Sequence, residues 1–319
     1  MSLLKGYGLP AWFAAMTAVH LGTTGTTKEA IGLDARIYFR GADAWVHGGD
    51  PWGAMAEMAG GHYHFAGTPS TVQILAPFTF LSEGAFVVIA ILASLAAAIF
   101  VLWKLRLPGS WLLFPPIVQA VISANPQMLV LALLLAGQPL AQAVAPLMKI
   151  YGAVPLAVEM RWKALAAVAS LLILSIALAP PLWLDYMHRF TAISQRLDIE
   201  AAGGFSAWGL PPSALALVAG ALVVLFWLDR RSAAWLAVPA LWPATQLHYS
   251  ALALPVITPL TAFLLAIPQH GIPALVVVCI AAWRLGHMVI HRYPEALRNR
   301  SWRNQSARAS GPKGRRDVH

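Results

Sequence analysis

Between Arg231 and Arg284 the chain runs for fifty-two residues without a formal charge, and between Arg106 and Lys149 for more than forty. A water-exposed surface cannot be drawn from such stretches. In hydrocarbon every backbone N–H and C=O must be satisfied internally, so apolar runs of this length are read as spanning helices. Composition agrees: 59% of the residues are hydrophobic and 11% charged, with a mean hydropathy of +0.65, against about 25% charged in an ordinary soluble domain. The net charge of +9 gathers in the basic stretch after Arg284. There it reports orientation toward lipid headgroups rather than a nucleic-acid groove.

The expected fold class is therefore all-α, a polytopic transmembrane bundle of roughly eight to eleven membrane segments with helices in its outer loops. Leu9 to Leu21 reads as a first, marginal span, and Ala85 to Trp103, nineteen uncharged residues closed by Lys104 and Arg106, as the clearest early one. Pro69 to Leu81 is too short to cross and reads as interfacial or re-entrant. Two short spans joined by the polar hairpin Ser123 to Gln127 are expected before Lys149. Pro146 and Pro155 break the next segment, leaving Lys149 near membrane depth. Trp162 to Trp183 and Ser213 to Leu228 are further spans around an outer loop, Asp185 to Pro212. At least two spans are expected between Arg231 and Arg284, and Ile272 to Ile290 is the last candidate. Residues 1–291 form one domain, and 292–319 are expected to be a disordered basic tail. This count carries a parity conflict, because three spans after Arg231 would export that tail. Cys279 is the single cysteine and allows no intramolecular disulfide.

Gly22 to Glu83 is the longest polar region and holds Asp34, Asp43, Asp50, Glu57, His62 and His64. Within it Ala30 to His47 is expected to form a helix that Gly48-Gly49-Asp50-Pro51 ends, and i, i+4 spacing puts Asp34 and Tyr38 on one face. Asp34 reads either as a general base beside Arg36 or as a solvated helix-start carboxylate. Lys149 is either a ligand for an anion or a snorkelling lysine. His248, before Tyr249, is either a proton carrier or a satisfied interfacial histidine. His62 and His64 lack a third ligand at metal-site spacing, so no metal is expected.

The run Asp34, Tyr38, Ala42, Gly48, Pro51, Trp52 resembles the first-loop signature of the polyprenyl-phosphate-sugar-dependent glycosyltransferases of the C-type membrane fold, the mannosyltransferase-like family 87. Gly67-Thr68-Pro69, Asn125 to Gly137, Lys149 between Pro146 and Pro155, and Gln246 to Tyr249 before Leu254-Pro255 are similar to later family segments in order. The resemblance implies an inverting transfer of a sugar, mannose as the best guess, from a polyprenyl-phosphate donor to a lipid or glycan hydroxyl. Asp34 would be the base, with Arg36, Tyr38, Lys149, His248 and Tyr249 binding substrate. It implies no cofactor; the alanine-rich composition and the lack of eukaryotic retention signals point to a bacterial inner membrane, with the site expected on the extracytoplasmic face. A non-catalytic transporter or assembly subunit, or a family member without activity, is the alternative. The near absence of charge within the spans apart from Lys149 favours interfacial chemistry over a transport path.

Overall fold

The structure is a computed structural model that describes residues 8–24, 30–58, 61–200 and 204–309. It is predominantly helical. In chain order come α1 (Leu9–Thr24), α2 (Leu33–Val46), the hairpin β1 (Met55–Met58) and β2 (Gly61–His64), α3 (Pro69–Leu75), α4 (Glu83–Leu105), α5 (Pro115–Ile122), α6 (Gln127–Leu135) and α7 (Pro139–Met148). They are followed by α8 (Ala153–Val158), α9 (Trp162–Leu178), α10 (Pro180–Glu200), α11 (Pro212–Leu228), α12 (Arg230–Leu241), α13 (Pro259–Leu265) and α14 (Ile272–Ala309). A 3₁₀ stretch, Leu247–Val256, lies between α12 and α13. The main core is formed by α1, α4 to α9 and α11 to α14 with this stretch, around Phe114, Leu131, Leu156, Leu225 and Trp235.

The expected eight to eleven membrane segments are too many. Among the described residues two helices are long and apolar enough to cross a bilayer, α4 and the first part of α14 to Ile290. The number rises to four if the bent pairs α5 with α6 (115°) and α9 with α10 (103°) each count as one span. The cause is proline. Pro115, Pro116, Pro126, Pro139 and Pro146 cut the long uncharged run before Lys149 into helices of 8, 9 and 10 residues, about 12 to 15 Å each against a hydrocarbon core of roughly 30 Å. The region expected to hold two spans after Arg231 is likewise short: α12, the 3₁₀ stretch and α13 take its place, with Pro239, Pro255 and Pro259 among their residues. At 16 residues α1 is also below spanning length. The expected loop Asp185 to Pro212 is instead mostly α10, and α14 continues past Arg292 to Ala309; residues 310–319 lie outside the described residues.

One end of the bundle is capped by α2, the hairpin and α10. Arg40 fastens α2 to the start of α4 through both carboxylate oxygens of Glu83, at 2.8 and 3.0 Å. This charge-assisted pair holds the Arg40 guanidinium more firmly protonated than usual. The basic end of α4, Lys104 and Arg106, then lies about 33 Å away along the axis.

The two segments expected to lie outside pack together as one roof. Trp52 is 1% exposed; its indole N–H donates to the Gly67 carbonyl at 3.0 Å, and its ring packs on Tyr186 of α10. Arg196 donates to the Trp52 carbonyl at 2.9 Å, Arg189 pairs with Asp50 at 2.6 Å, and His64 of β2 meets Glu200 at 2.6 Å. Trp52→Ala removes the largest side chain from this junction and is expected to cost about 3–5 kcal/mol. It should lower the thermal midpoint of the detergent-solubilised protein and open Arg189 and Arg196 to trypsin. An unchanged midpoint and cleavage pattern would mean that the surface ion pairs, not Trp52, hold the roof.

Candidate functional site

The site is built where three helix ends meet. The first amides of α2 have no partner within their own helix. They are satisfied instead by the last carbonyls of α5: Gly32 N–H donates to Ile122 O at 2.8 Å and Asp34 N–H to Ser123 O at 3.0 Å. Gly32 makes this docking possible by adopting φ +69°, and a Cβ there would fall 2.3 Å from Val87 Cγ1. A helix-start aspartate usually caps its own amides, but here those amides are spent on Ser123. Among the described residues the Asp34 carboxylate has no hydrogen-bond or ion-pair partner, and it is half-buried. The polar hairpin expected to lie on the Asp34 side is in direct contact with it.

Lys149 arrives from the opposite wall. Pro146 brings α7 to its end, and the carbonyls of Leu147 and Met148 are taken by α3 hydroxyls: Ser70 to Leu147 at 2.8 Å, Thr71 to Met148 at 2.9 Å. Lys149 then adopts an extended backbone (φ −146°, ψ 111°), which turns its side chain away from the helix. Its ammonium lies 5.0 Å from the centroid of the Tyr38 ring. It has no carboxylate partner among the described residues, and it does not pair with Asp34. Tyr38 is 8% exposed and packs edge-on against Phe65 at 5.5 Å. Burial, and then the Asp34 charge, push its hydroxyl well above the usual phenol range, so it stays protonated as a donor.

A second aromatic layer lies below. Tyr151, two residues after Lys149, packs at 5.0 Å from Tyr249, which stacks on His248 at 4.8 Å. The Asp34 charge acts on Tyr38, Tyr151 and Tyr249, and the Lys149 charge on Tyr249 and His248, so these groups share one electrostatic environment. The Tyr151 hydroxyl donates to Gln127 Oε1, and Gln119 Oε1 accepts the His248 backbone N–H at 2.8 Å. Four buried polar atoms have no partner among the described residues: Ser123 Oγ, Gln127 Nε2, and both ring nitrogens of His248. Each such atom costs about 1–3 kcal/mol if it stays unsatisfied. Gln127 and His248 are linked through Tyr151 and Tyr249.

On the far side of Tyr38 an apolar cleft of about 60 Å³ opens among α2, α3, α4, α6 and α7, lined by Ala35, Leu75, Phe86, Leu129 and Met148. The site thus offers a carboxylate and an ammonium without ion-pair partners among the described residues, buried unpartnered polar atoms and an apolar slot beside Tyr38. Of the residues singled out from sequence, Asp34, Tyr38, Lys149, His248 and Tyr249 come together. Arg36 does not follow the pattern. It lies roughly 200° around the helix from Asp34, and its guanidinium donates to the Ile31 carbonyl at 2.7 Å. Tyr151, Gln127 and Ser123 were not expected as site residues. Tyr151 had a signal in its place beside Lys149 between two prolines, whereas Gln127 had only its polarity within an uncharged run. His62 and His64 reach Glu57 and Glu200, and no group of three or more metal-ligating side chains occurs among the described residues.

Compared with protein-family models, curated proteins and solved structures, the chain matches none of them.

Proposed function

We propose that this protein is an integral-membrane glycosyltransferase that moves a sugar, mannose as the best guess, from a polyprenyl-phosphate donor to a hydroxyl of a lipid or glycan acceptor. The observation that carries this reading is that Asp34 and Lys149, neither with an ion-pair partner among the described residues, both act on Tyr38: the Lys149 ammonium lies 5.0 Å from its ring centroid and the Asp34 charge bears on its hydroxyl. Asp34 accepts the proton of the acceptor hydroxyl as that oxygen forms a bond to the anomeric carbon. The bond from that carbon to the phosphate oxygen breaks on the opposite face, with inversion, and polyprenyl phosphate leaves with the bonding electrons. Lys149 neutralises the charge that grows on the phosphate. The apolar cleft beyond Tyr38 accepts the first part of the isoprenoid chain, and Arg36, turned aside, takes no part in this scheme.

The same reading gives the fold a C-type glycosyltransferase character and puts the roof on the extracytoplasmic face of a bacterial inner membrane. That orientation is supported by α4, whose basic end is the one remote from the roof. The test is transfer itself. Proteoliposomes containing the purified protein are supplied with radiolabelled undecaprenyl-phosphate sugars and a membrane lipid extract as acceptor. Movement of one label out of the donor fraction is expected. If every donor stays intact, the site serves binding or transport instead.

A further inference from the structure

Independently of whether a sugar is transferred, we infer that the end of the bundle remote from the roof is a docking surface for anionic phospholipid headgroups, and that the basic second half of α14 belongs to it. The direction of α14 follows from its neighbours. Gly271, just before it, donates its N–H to Phe205 O at 3.0 Å, on the segment that leads into α11, whereas Arg284 pairs with Asp229, at the end of α11, at 2.5 Å. The two helices pack side by side and run the same way. The end of α11 adjoins the start of α9, because Arg230 donates to Met160 Sδ at 3.1 Å. From there α9 climbs to Ser175, whose carbonyl accepts from Gln73 of α3 at 2.8 Å, beside the roof. Arg284 therefore stands at the far end, and α14 continues away from the roof to Ala309. Since α12, the 3₁₀ stretch and α13 together bring the chain back from Asp229 to Gly271, the basic stretch emerges on the same side as Lys104 and Arg106.

Two kinds of side chain gather there. Trp103, Trp162, Trp227 and Trp283, on α4, α9, α11 and α14, are 67–77% exposed. An exposed indole suits the membrane–water boundary, with its ring in the apolar layer and its N–H among headgroups. The helices carry these rings to similar depth: at 1.5 Å per residue Trp162 lies about 20 Å from Ser175, and Trp103 about 25 Å from Phe86, which packs on Phe78 just after α3. Within four residues of these rings stand Lys104, Arg106, Lys163, Arg230 and Arg231, all exposed and without a carboxylate partner among the described residues. The carboxylates Glu159 and Asp229 of this end are already engaged, by Arg161 and Arg284. The rest of α14 adds Arg292, Arg298, Arg300, Arg303 and Arg308 against Glu295. An anionic phospholipid supplies what these groups lack, phosphate oxygens for guanidinium and ammonium donors held at the level of the indoles. A soluble polyanion would meet the cations and leave the indoles in water.

The experiment equilibrates the purified full chain in detergent with equal amounts of radiolabelled phosphatidylglycerol and phosphatidylcholine of matched chains, and counts the lipid retained through gel filtration. Phosphatidylglycerol should be retained tenfold or more over phosphatidylcholine, and the preference should vanish in about 1 M salt, where the screening length is roughly 3 Å. Each cation at an anionic surface is worth about fivefold, so Arg230→Gln with Arg231→Gln should lower the preference at least fivefold, and Arg298→Gln with Arg300→Gln should do the same. If the first pair fails to fold, Lys104→Gln with Arg106→Gln takes its place. In sealed vesicles and a Cys279→Ser background, an impermeant maleimide should reach Gly109→Cys, after α4, and Ser301→Cys, in α14, from one side, and Ser194→Cys, on α10, from the other. Equal retention of the two lipids overturns the surface, as does a preference that survives both pairs of substitutions. Labelling of Gly109→Cys and Ser301→Cys from opposite sides removes α14 from it. Displacement of phosphatidylglycerol by heparin at equal charge overturns the lipid assignment in favour of a soluble polyanion.

Discussion

Asp34→Asn lowers the rate of sugar transfer by about a thousandfold, within the range that general bases supply, while donor affinity and the thermal midpoint stay near those of wild type. Stability is expected to survive because the carboxylate holds nothing together: it has no hydrogen-bond or ion-pair partner among the described residues. The start of α2 is held by backbone amides on the Ile122 and Ser123 carbonyls, which the substitution leaves in place. What the fold loses is a favourable charge at a helix N-terminus, roughly 0.3–1 kcal/mol. Turnover and thermal midpoint measured on the same preparation separate the two roles. Full turnover in Asp34→Asn would remove Asp34 from the mechanism, and a collapsed midpoint would make it a structural residue.

Much of what positions this site could be read from sequence because it depends on short-range rules. The i, i+4 spacing of Asp34 and Tyr38 survives in α2, whose start shifts only from Ala30 to Leu33 because Gly32 supplies the left-handed turn. Lys149 between Pro146 and Pro155 was legible as an interrupted helix, since proline fixes where a helix must end. What hydropathy could not show was how far each apolar run goes before it bends. Ser123 to Gln127 looked like a hairpin between two spans, yet α5 and α6 meet there at 115° as short pieces. Likewise α10 is polar enough to resemble a loop, and its helical character follows from the aromatic and ionic contacts it makes with Trp52, Asp50 and His64. The same limit hid Gln127 and Tyr151. Their importance lies in a pairing across 24 residues that no local pattern encodes. Arg36 is adjacent to Asp34 in sequence, but it stands about 200° around the helix from it, with its guanidinium donating to the Ile31 carbonyl.

Lys149→Ala is expected to raise the KM for the polyprenyl-phosphate donor by about thirtyfold to a hundredfold, equivalent to the roughly 2–3 kcal/mol of a charge-assisted contact, and to leave the KM for the acceptor within about twofold. The asymmetry follows from what Lys149 touches. Its ammonium pairs with no carboxylate among the described residues and lies against the face of Tyr38, a contact worth about 0.5–1 kcal/mol, so the substitution costs little stability. A cation at membrane depth without a carboxylate partner is expensive unless an anion visits it, and the donor brings the one anion that the proposed reaction requires. Raising salt should weaken donor binding in wild type and have little effect in the variant, because the screened charge is gone. Equal losses for donor and acceptor would mean that Lys149 shapes the floor beneath both substrates through Tyr38. No loss for either would identify it as a lysine that reaches the interface along its apolar stem, leaving phosphate binding to another group.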